Sequence, residues 1–265
     1  MPKKEYAKKK KKLVKRDITI FTIGDKSDFD SYKKIDKERR TFVRHGFRYA
    51  TIDYRKFMKG HIPEIKTIKV IVLFYFPFSY WNKNIEHKNY KGIYGNQIFY
   101  EKFVHFWSKI QKQCKSSFRD KEILFVNSPA HCGAYRDKLN VSRELAKFNV
   151  NEPRIHRAIS VKAIEEKLAR GHTFYLKPRY GSMGKGITYI SQSNWQTNFI
   201  VKGNRILNRK SDRGWKFMNV TGNRRFLKQL LGKDIVIQDG VDPLIVDGDM
   251  VDVRIYTFMN DVVYV

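Results

Sequence analysis

The chain has 265 residues, of which 42% are hydrophobic and 14% aromatic, so it is long and apolar enough to fold as one large or two modest domains rather than stay disordered. Its 54 lysine and arginine residues against 26 aspartate and glutamate residues give a formal net charge of +28. A charge of this size attracts nucleic acid, nucleotides, acidic peptides and anionic lipid alike, so it identifies no partner by itself.

Much of the positive charge lies in residues 1–16, MPKKEYAKKKKKLVKR. Two interpretations remain open: a solvated flexible tail, or a tether to nucleic acid or to a membrane surface. No apolar run follows it to form a secretory signal, and the most apolar stretch, residues 70–76, is too short to span a bilayer. Cys114 and Cys132 make neither a disulfide framework nor a zinc site. We therefore expect a cytoplasmic protein without a transmembrane segment.

The first half of the chain alternates apolar, strand-like segments with helical ones. This order predicts an α/β layer with a largely parallel sheet. A helix is expected over residues 31–45, where Gly46 ends it. Strands are expected at residues 17–24, 47–54, 68–76 and 122–129.

A longer helix is expected within residues 94–114, where Ile98, Phe103, Phe106 and Ile110 can share one face. Such a stripe is typical of a helix that faces a core, although exposed aromatic rings would also suit stacking on nucleic-acid bases.

The second half begins with a helix after Asp137 and a proline-containing turn. A second helix is predicted with Ser160 as its N-cap, Val161, Ile164 and Leu168 on one face and Gly171 at its end. Hairpin strands, a short helix over residues 223–233 and further strands at residues 234–242 and 250–265 complete the pattern.

Between two predicted strands, residues 174–190 read FYLKPRYGSMGKGITYI, with Gly181, Gly184 and Gly186 close together. The spacing fits neither a Walker loop nor the dinucleotide fingerprint, which precedes a helix. What remains is a loop between antiparallel strands whose N–H groups can fold over phosphates, with Lys177 at the strand end. A plain flexible hairpin is the alternative.

The chain from about Val126 onward resembles the ATP-grasp ligases. Four segments carry the resemblance in the family's order: YRDKLNVSRELAKFNVNEPRI, FYLKPRYGSMGKGITYI, DIVIQDGVD and MVDVRIYTF. The likeness is greatest to the spore-coat-associated (YheC/YheD-like) ATP-grasp proteins, followed by glutathione-synthetase-like enzymes and ribosomal-protein glutamate ligases.

The resemblance implies an ATP site. Two lysines would meet the α and β phosphates, the loop would close over the β/γ end, and four residues of the DIVIQDGVD segment would frame adenine and ribose. The family usually carries Glu at the position of Asp239. The implied binding residues are Lys138, Lys177, Ser182, Met183, Gly184, Gln238, Asp239, Gly240 and Val241.

Arg254, in the Asp-x-Arg strand, is the implied catalytic residue, since a planar guanidinium suits the transferring phosphate or an acyl-phosphate. The alternative role of Arg254 is a salt bridge with Asp252. The alternative for Lys138 and Lys177 is that they are ordinary surface lysines.

The family's magnesium ligands would fall beyond Val265, so we expect Mg²⁺ as a cofactor whose ligands this chain does not supply. The expected organisation is a basic tail (1–16), an N-terminal pre-ATP-grasp α/β domain with a parallel sheet (17–130) and an α+β ATP-grasp domain (131–265) that lacks its C-terminal part. A fragment of this kind is expected to be inactive alone.

The expected function is ATP-dependent joining of a carboxylate to an amine through an acyl-phosphate. The basic surface would suit an anionic substrate, such as an acidic peptide or a cell-envelope polymer. Two alternatives stay open: a non-catalytic protein that binds nucleic acid or another polyanion, in part through its Lys-rich tail, and a remnant that binds nucleotide without turnover.

Overall fold

The computed structural model divides into two compact units, Met1–Val141 and Ser142–Val265. The predicted tail, Asp252 and Arg254 lie outside the described part of the chain. The structure describes residues 17–25, 28, 30–86, 92–156, 159–209, 216–242, 244–251, 256–258 and 261–264.

The first unit contains a four-stranded sheet in the order β2-β1-β3-β4, in which every neighbouring pair is parallel. The predicted α/β class with a parallel sheet is therefore confirmed. The central strands are apolar on both faces, as parallel strands between helical layers usually are. The strands are β1 Ile18–Gly24, β2 Arg48–Asp53, β3 Lys69–Phe74 and β4 Glu122–Val126.

Seven helices are described before residue 147. The helix predicted over residues 31–45 is two short helices interrupted at Glu38. The helices are α1 Asp30–Lys37, α2 Arg39–Arg44, α3 Tyr54–Met58, α4 Phe78–Asn84, α5 Gln97–Ser117, α6 Pro129–Ala134 and α7 Lys138–Ala146.

Helix α5 buries an aromatic face in the core of the first unit. Phe103, Phe106 and Ile110 are at most 5% exposed, which confirms the interpretation of this stripe as core. Ile98 is 49% exposed, so its assignment to the buried face was wrong. Phe99 takes that place because it lies four residues before Phe103 on a helix of 3.6 residues per turn.

The second unit is built on a six-stranded sheet in the order β11-β8-β7-β6-β12-β5, with antiparallel pairing throughout. Three two-stranded sheets accompany it, β9 with β10, β13 with β14 and β15 with β16. The strands are β5 Ile155–His156, β6 Phe174–Pro178, β7 Thr188–Ile190, β8 Trp195–Thr197, β9 Ile200–Lys202, β10 Arg205–Leu207, β11 Met218–Asn219, β12 Ile235–Asp239, β13 Leu244–Val246, β14 Asp249–Val251, β15 Tyr256–Phe258 and β16 Asp261–Tyr264.

Two helices of this unit, α8 (Val161–Ala169) and α9 (Arg224–Leu231), bury apolar side chains. The Ser160 side chain accepts a hydrogen bond of 3.1 Å from the Ala163 N–H, as the predicted N-cap requires. Of the three residues predicted on one face, Ile164 and Leu168 are buried and Val161 is half-buried. The Arg224 guanidinium pairs with Glu165 at 2.7 Å and joins the two helices at their surface.

Within the described ranges, no helix is both long enough and apolar enough to cross a bilayer. Cys114 and Cys132 are both free thiols.

Candidate functional site

Strand β6 presents two different faces because successive side chains of a strand point to opposite sides. Phe174 and Leu176 are fully buried on one side. Tyr175 and Lys177 are half-buried on the other side. The pairing of Tyr175 with Tyr189 on β7 and with Gln238 on β12 extends that second surface across three strands. We call this surface, carrying Tyr175, Lys177, Tyr189 and Gln238, the polar face of the six-stranded sheet.

The Lys177 ammonium is held by neutral groups. Its Nζ donates to the Gln238 Oε1 atom at 2.6 Å and lies 5.2 Å from the centroid of the Tyr175 ring. No carboxylate in the described part of the chain forms an ion pair with it. Partial burial lowers the pKa of Lys177 below its usual value, since desolvation disfavours the charged form.

Tyr175 lies beside this lysine and Tyr189 lies beside Tyr175, and the sequence pattern had assigned neither tyrosine to the site. The Tyr175 and Tyr189 rings are 5.2 Å apart. Burial raises the pKa of Tyr175, and the neighbouring Tyr189 adds to that effect. The alternation in FYLKP was the available signal, because it places Tyr175 on the same side of the strand as Lys177.

The glycine loop (residues 179–187) is anchored at its second half. The Gly186 N–H donates to Asn198 Oδ1 at 3.1 Å, and the Asn198 N–H donates to the Ile187 carbonyl at 2.8 Å. Gly186 has a φ of +73°, and a Cβ built there would lie 2.6 Å from Phe199 Cζ and 2.9 Å from Pro178 Cγ. Glycine at position 186 is therefore required by backbone conformation and by close packing.

The tip of the glycine loop is less constrained. The backbone N–H groups of Ser182, Met183 and Gly184 donate no hydrogen bond to any described residue. Met183 is 56% exposed. Its backbone is in the left-handed region at φ 56°, a conformation that is unusual for a residue with a side chain. Consecutive free N–H groups in a turn form a concave donor surface that suits an anion.

The end of β12 holds the other predicted nucleotide contacts. Asp239 Oδ1 lies 2.7 Å from His156 Nε2, a neighbour that the sequence did not indicate. The Gly240 N–H donates to the Thr173 carbonyl at 2.8 Å, and a Cβ at Gly240 would lie 2.0 Å from Thr173 Oγ1. Val241 is 62% exposed. Asp239 and Gly240 thus have structural partners, and Val241 is open to solvent.

Lys138 is the first residue of α7 and belongs to the first unit. The preceding Asp137 is buried and accepts a hydrogen bond of 3.0 Å from the Leu139 N–H, which fixes the start of this helix. The structure describes no residue at position 254, so the predicted catalytic arginine stays a prediction.

Among the described residues, no group of three or more His, Cys, Asp or Glu side chains could hold a metal ion. Magnesium usually binds through carboxylates together with substrate phosphates. No magnesium ligand is therefore assigned among the described residues, and the magnesium cofactor stays a prediction.

Comparison with known proteins gives one family match. Residues 130–261 match the family described as YheC/D-like ATP-grasp. No curated protein sequence matches the chain.

Several solved ATP-grasp structures are similar to this chain. D-cycloserine synthetase DcsG has a TM-score of 0.42 and 13% identity, over 84% of this chain and 59% of that protein. The ATP-grasp ligase PsnB, complexed with precursor peptide PsnA2 and AMPPNP, has a TM-score of 0.42 and 12% identity, over 87% of this chain and 67% of PsnB. The RimK domain protein ATP-grasp from Sphaerobacter thermophilus DSM 20745 has a TM-score of 0.39 and 10% identity, over 85% of this chain and 65% of that protein.

The chain therefore spans about three fifths to two thirds of the length of these structures. The family assignment rests on the sequence match, which includes the glycine loop and both strands that flank it. Residues 130–261 of this chain belong to the ATP-grasp superfamily, in its YheC/D-like group.

Proposed function

We propose that this protein binds ATP on the polar face of the six-stranded sheet and uses it to join a carboxylate to an amine. One observation carries the proposal. The half-buried Lys177 ammonium has no carboxylate partner among the described residues. It is separated by Pro178 alone from a loop whose tip has three N–H groups that donate to no described residue.

A phosphate group would satisfy both features at once. A buried cation that is held only by neutral groups is electrostatically costly, and an anion close to it recovers part of that cost. The N–H groups of residues 182–184, which donate to no described residue, would supply charge-assisted hydrogen bonds to the same anion. Lys177 would meet the α and β phosphates, and Ser182, Met183 and Gly184 would close over the β/γ end.

The remaining contacts of the proposed site follow from the family assignment. Gln238 and the end of β12 would lie beside adenine and ribose, with Asp239, Gly240 and Val241. Lys138 would approach the α phosphate, and Arg254 would meet the transferring phosphoryl group.

The proposed reaction has two steps. A carboxylate oxygen of the first substrate attacks the γ phosphorus, the bond from that phosphorus to the bridging oxygen breaks, and ADP leaves. The amine nitrogen then attacks the acyl carbon, the bond to the phosphate oxygen breaks, and phosphate and a proton are released. Positioning and charge neutralisation dominate phosphoryl transfer, which is the chemistry a lysine, an arginine and backbone N–H groups provide.

The positive charge of the chain favours an anionic acceptor, such as an acidic peptide or a cell-envelope polymer. This part of the proposal rests on charge alone and is secondary to the nucleotide site.

Calorimetric titration of the chain with ATP tests the nucleotide site. We expect saturable binding of one ATP per chain in 150 mM salt. Binding to inorganic polyphosphate that strengthens with polymer length and falls steeply with salt, without saturable ATP binding, would instead indicate a general polyanion binder.

Hydroxylamine trapping tests the acyl-phosphate. The chain is incubated with ATP, MgCl₂, hydroxylamine and a mixture of glutamate and aspartate, and hydroxamate is measured with released phosphate. We expect hydroxamate and phosphate in equal amounts from a longer protein that supplies the family's magnesium ligands, in keeping with the expectation that these 265 residues alone are inactive. Phosphate release without hydroxamate would argue for simple ATP hydrolysis.

A further inference from the structure

An arginine-lined cavity in the first unit shares no residue with the proposed nucleotide site. An open cavity of about 760 Å³ lies between helix α2, the end of α1 and strand β2. This volume is within the range of small-ligand sites in proteins. The charged, aromatic and larger apolar side chains of its lining are those of Asp36, Arg39, Arg40, Val43, Arg44 and Tyr49.

Three arginines line this cavity against one carboxylate, that of Asp36. The side chains of Arg39 and Arg40 are exposed and form no hydrogen bond or ion pair with any described residue. The Arg44 side chain donates one hydrogen bond, from Nη2 to Thr41 Oγ1 at 3.1 Å, and its other N–H groups donate to no described residue. The lining therefore carries net positive charge with most guanidinium donors available.

The apolar part of the lining distinguishes this cavity from a simple charged surface. Val43 is 58% exposed beside the arginines. A ligand that fills the cavity thus meets guanidinium groups and a hydrocarbon surface together. A peptide with carboxylate side chains has both parts, since a guanidinium binds a carboxylate through two parallel hydrogen bonds and the aliphatic portions pack on the apolar wall.

The aromatic side chain of the lining is not arranged for nucleic acid. The Tyr49 ring stacks on Phe42, with centroids 5.5 Å apart and planes 6° from parallel. Its hydroxyl is bonded to Thr22 Oγ1 at 2.7 Å. Single-stranded nucleic acid binds mainly through bases stacked on open aromatic faces, and one face of this ring is already covered.

We propose that this cavity is a binding site for an acidic peptide segment, with Arg39, Arg40 and Arg44 as its carboxylate ligands. The site does not depend on nucleotide binding by the second unit. If the proposed ligase function is correct, the site would hold an acidic peptide substrate or a regulatory peptide.

Fluorescence anisotropy with labelled hexaglutamate, in 150 mM salt and without nucleotide, tests this proposal. We expect Arg39→Gln, Arg40→Gln and Arg44→Gln together to weaken binding by about tenfold, the combined effect of three exposed ion pairs. The matched control replaces three exposed lysines of α5, by Lys102→Gln, Lys109→Gln and Lys115→Gln. It removes the same charge and should change the affinity less than about twofold.

Two further comparisons complete the test. Replacing the three arginines by lysine retains the charge but removes the planar fork, so binding should weaken less than in the glutamine variant. Equal weakening by the arginine-to-glutamine variant and by the lysine-to-glutamine control on α5 would show that only net charge attracts the peptide. Tighter binding of hexauridylate than of hexaglutamate, lost in the same arginine variant, would reassign the cavity to nucleic acid. Thermal melting of each variant establishes that it is folded.

Discussion

The ammonium of Lys177 and the side-chain carbonyl of Gln238 lie 2.6 Å apart across the neighbouring strands β6 and β12. They are separated by 61 residues in the chain. The contact gives the lysine a neutral acceptor, and no carboxylate among the described residues cancels its positive charge. That uncancelled charge, next to the glycine loop, is what the proposed nucleotide site depends on.

We expect Lys177→Met to weaken ATP binding by about 1–3 kcal/mol, the scale of a hydrogen bond to a charged group. Methionine keeps the length of the side chain and removes its charge. Isothermal titration calorimetry of both proteins with ATP measures the difference.

Lys202→Met is the matched control, because Lys202 is an exposed lysine on strand β9 of the same unit. It removes the same charge, and ATP affinity should stay within about twofold. An equal loss in both variants, or none in folded Lys177→Met, would remove Lys177 from the phosphate site.

The local elements around the site were predictable from sequence. Strand, glycine loop and strand over residues 174–190, and helix α8 with its Ser160 cap, follow from short-range patterns of apolar, capping and turn residues. Their partners were not predictable in the same way. The contacts of Lys177 with Gln238 and of His156 with Asp239 depend on strand order and register, which short-range periodicity does not determine.

Errors in the sequence interpretation also have identifiable causes. Ile98 was assigned to the buried face of α5, although it lies five residues before Phe103, and 3.6 residues per turn place Phe99 on that face instead. The sequence has no proline or glycine at Glu38 that would have predicted the break between α1 and α2. Helix boundaries of this kind are decided by tertiary contacts.

The buried thiol of Cys114 predicts a pH-dependent contribution to stability. Burial raises its pKa from 9.0 to about 12 in the folded protein. Above pH 9 the unfolded chain loses this proton while the folded chain keeps it, so stability due to this group is complete below pH 9 and falls between pH 9 and 12.

Cys114→Ala removes this titration. We expect the melting temperature of the wild type to fall more between pH 8 and pH 10.5 than that of the variant, so that the gap between the two proteins narrows. Melting curves at both pH values measure the gap. A constant gap would mean that the thiol ionises equally in the folded and unfolded chains, and a widening gap would mean that it ionises more readily in the folded protein; either result contradicts the prediction.

The pair formed by His156 and Asp239 is expected to stabilise the second unit. The His156 side chain is 9% exposed and its Nε2 lies 2.7 Å from Asp239 Oδ1. Each side chain is therefore the hydrogen-bonding partner of the other in a partly buried position. In a double-mutant cycle of His156→Ala and Asp239→Ala, we expect a coupling energy of about 0.5–3 kcal/mol by urea unfolding. Strictly additive losses would show that the two side chains act independently, which would leave Asp239 free for a nucleotide.

Gly186 and Gly222 allow a direct test of why the loop needs glycine, because both have a φ of +73° and only Gly186 is crowded. A Cβ at Gly222 meets nothing within 4 Å, whereas a Cβ at Gly186 would lie 2.6 Å from Phe199. Alanine at either position is expected to lower the free energy of unfolding by about 1–2 kcal/mol, because its backbone must adopt the left-handed conformation. We expect Gly186→Ala to lose a further 1–3 kcal/mol or so, because Phe199 and Pro178 must shift to admit the methyl group. Urea unfolding of the two variants measures the difference. Equal losses would mean that Phe199 and Pro178 move aside without a loss of stability. Glycine at position 186 would then be explained by its backbone conformation alone.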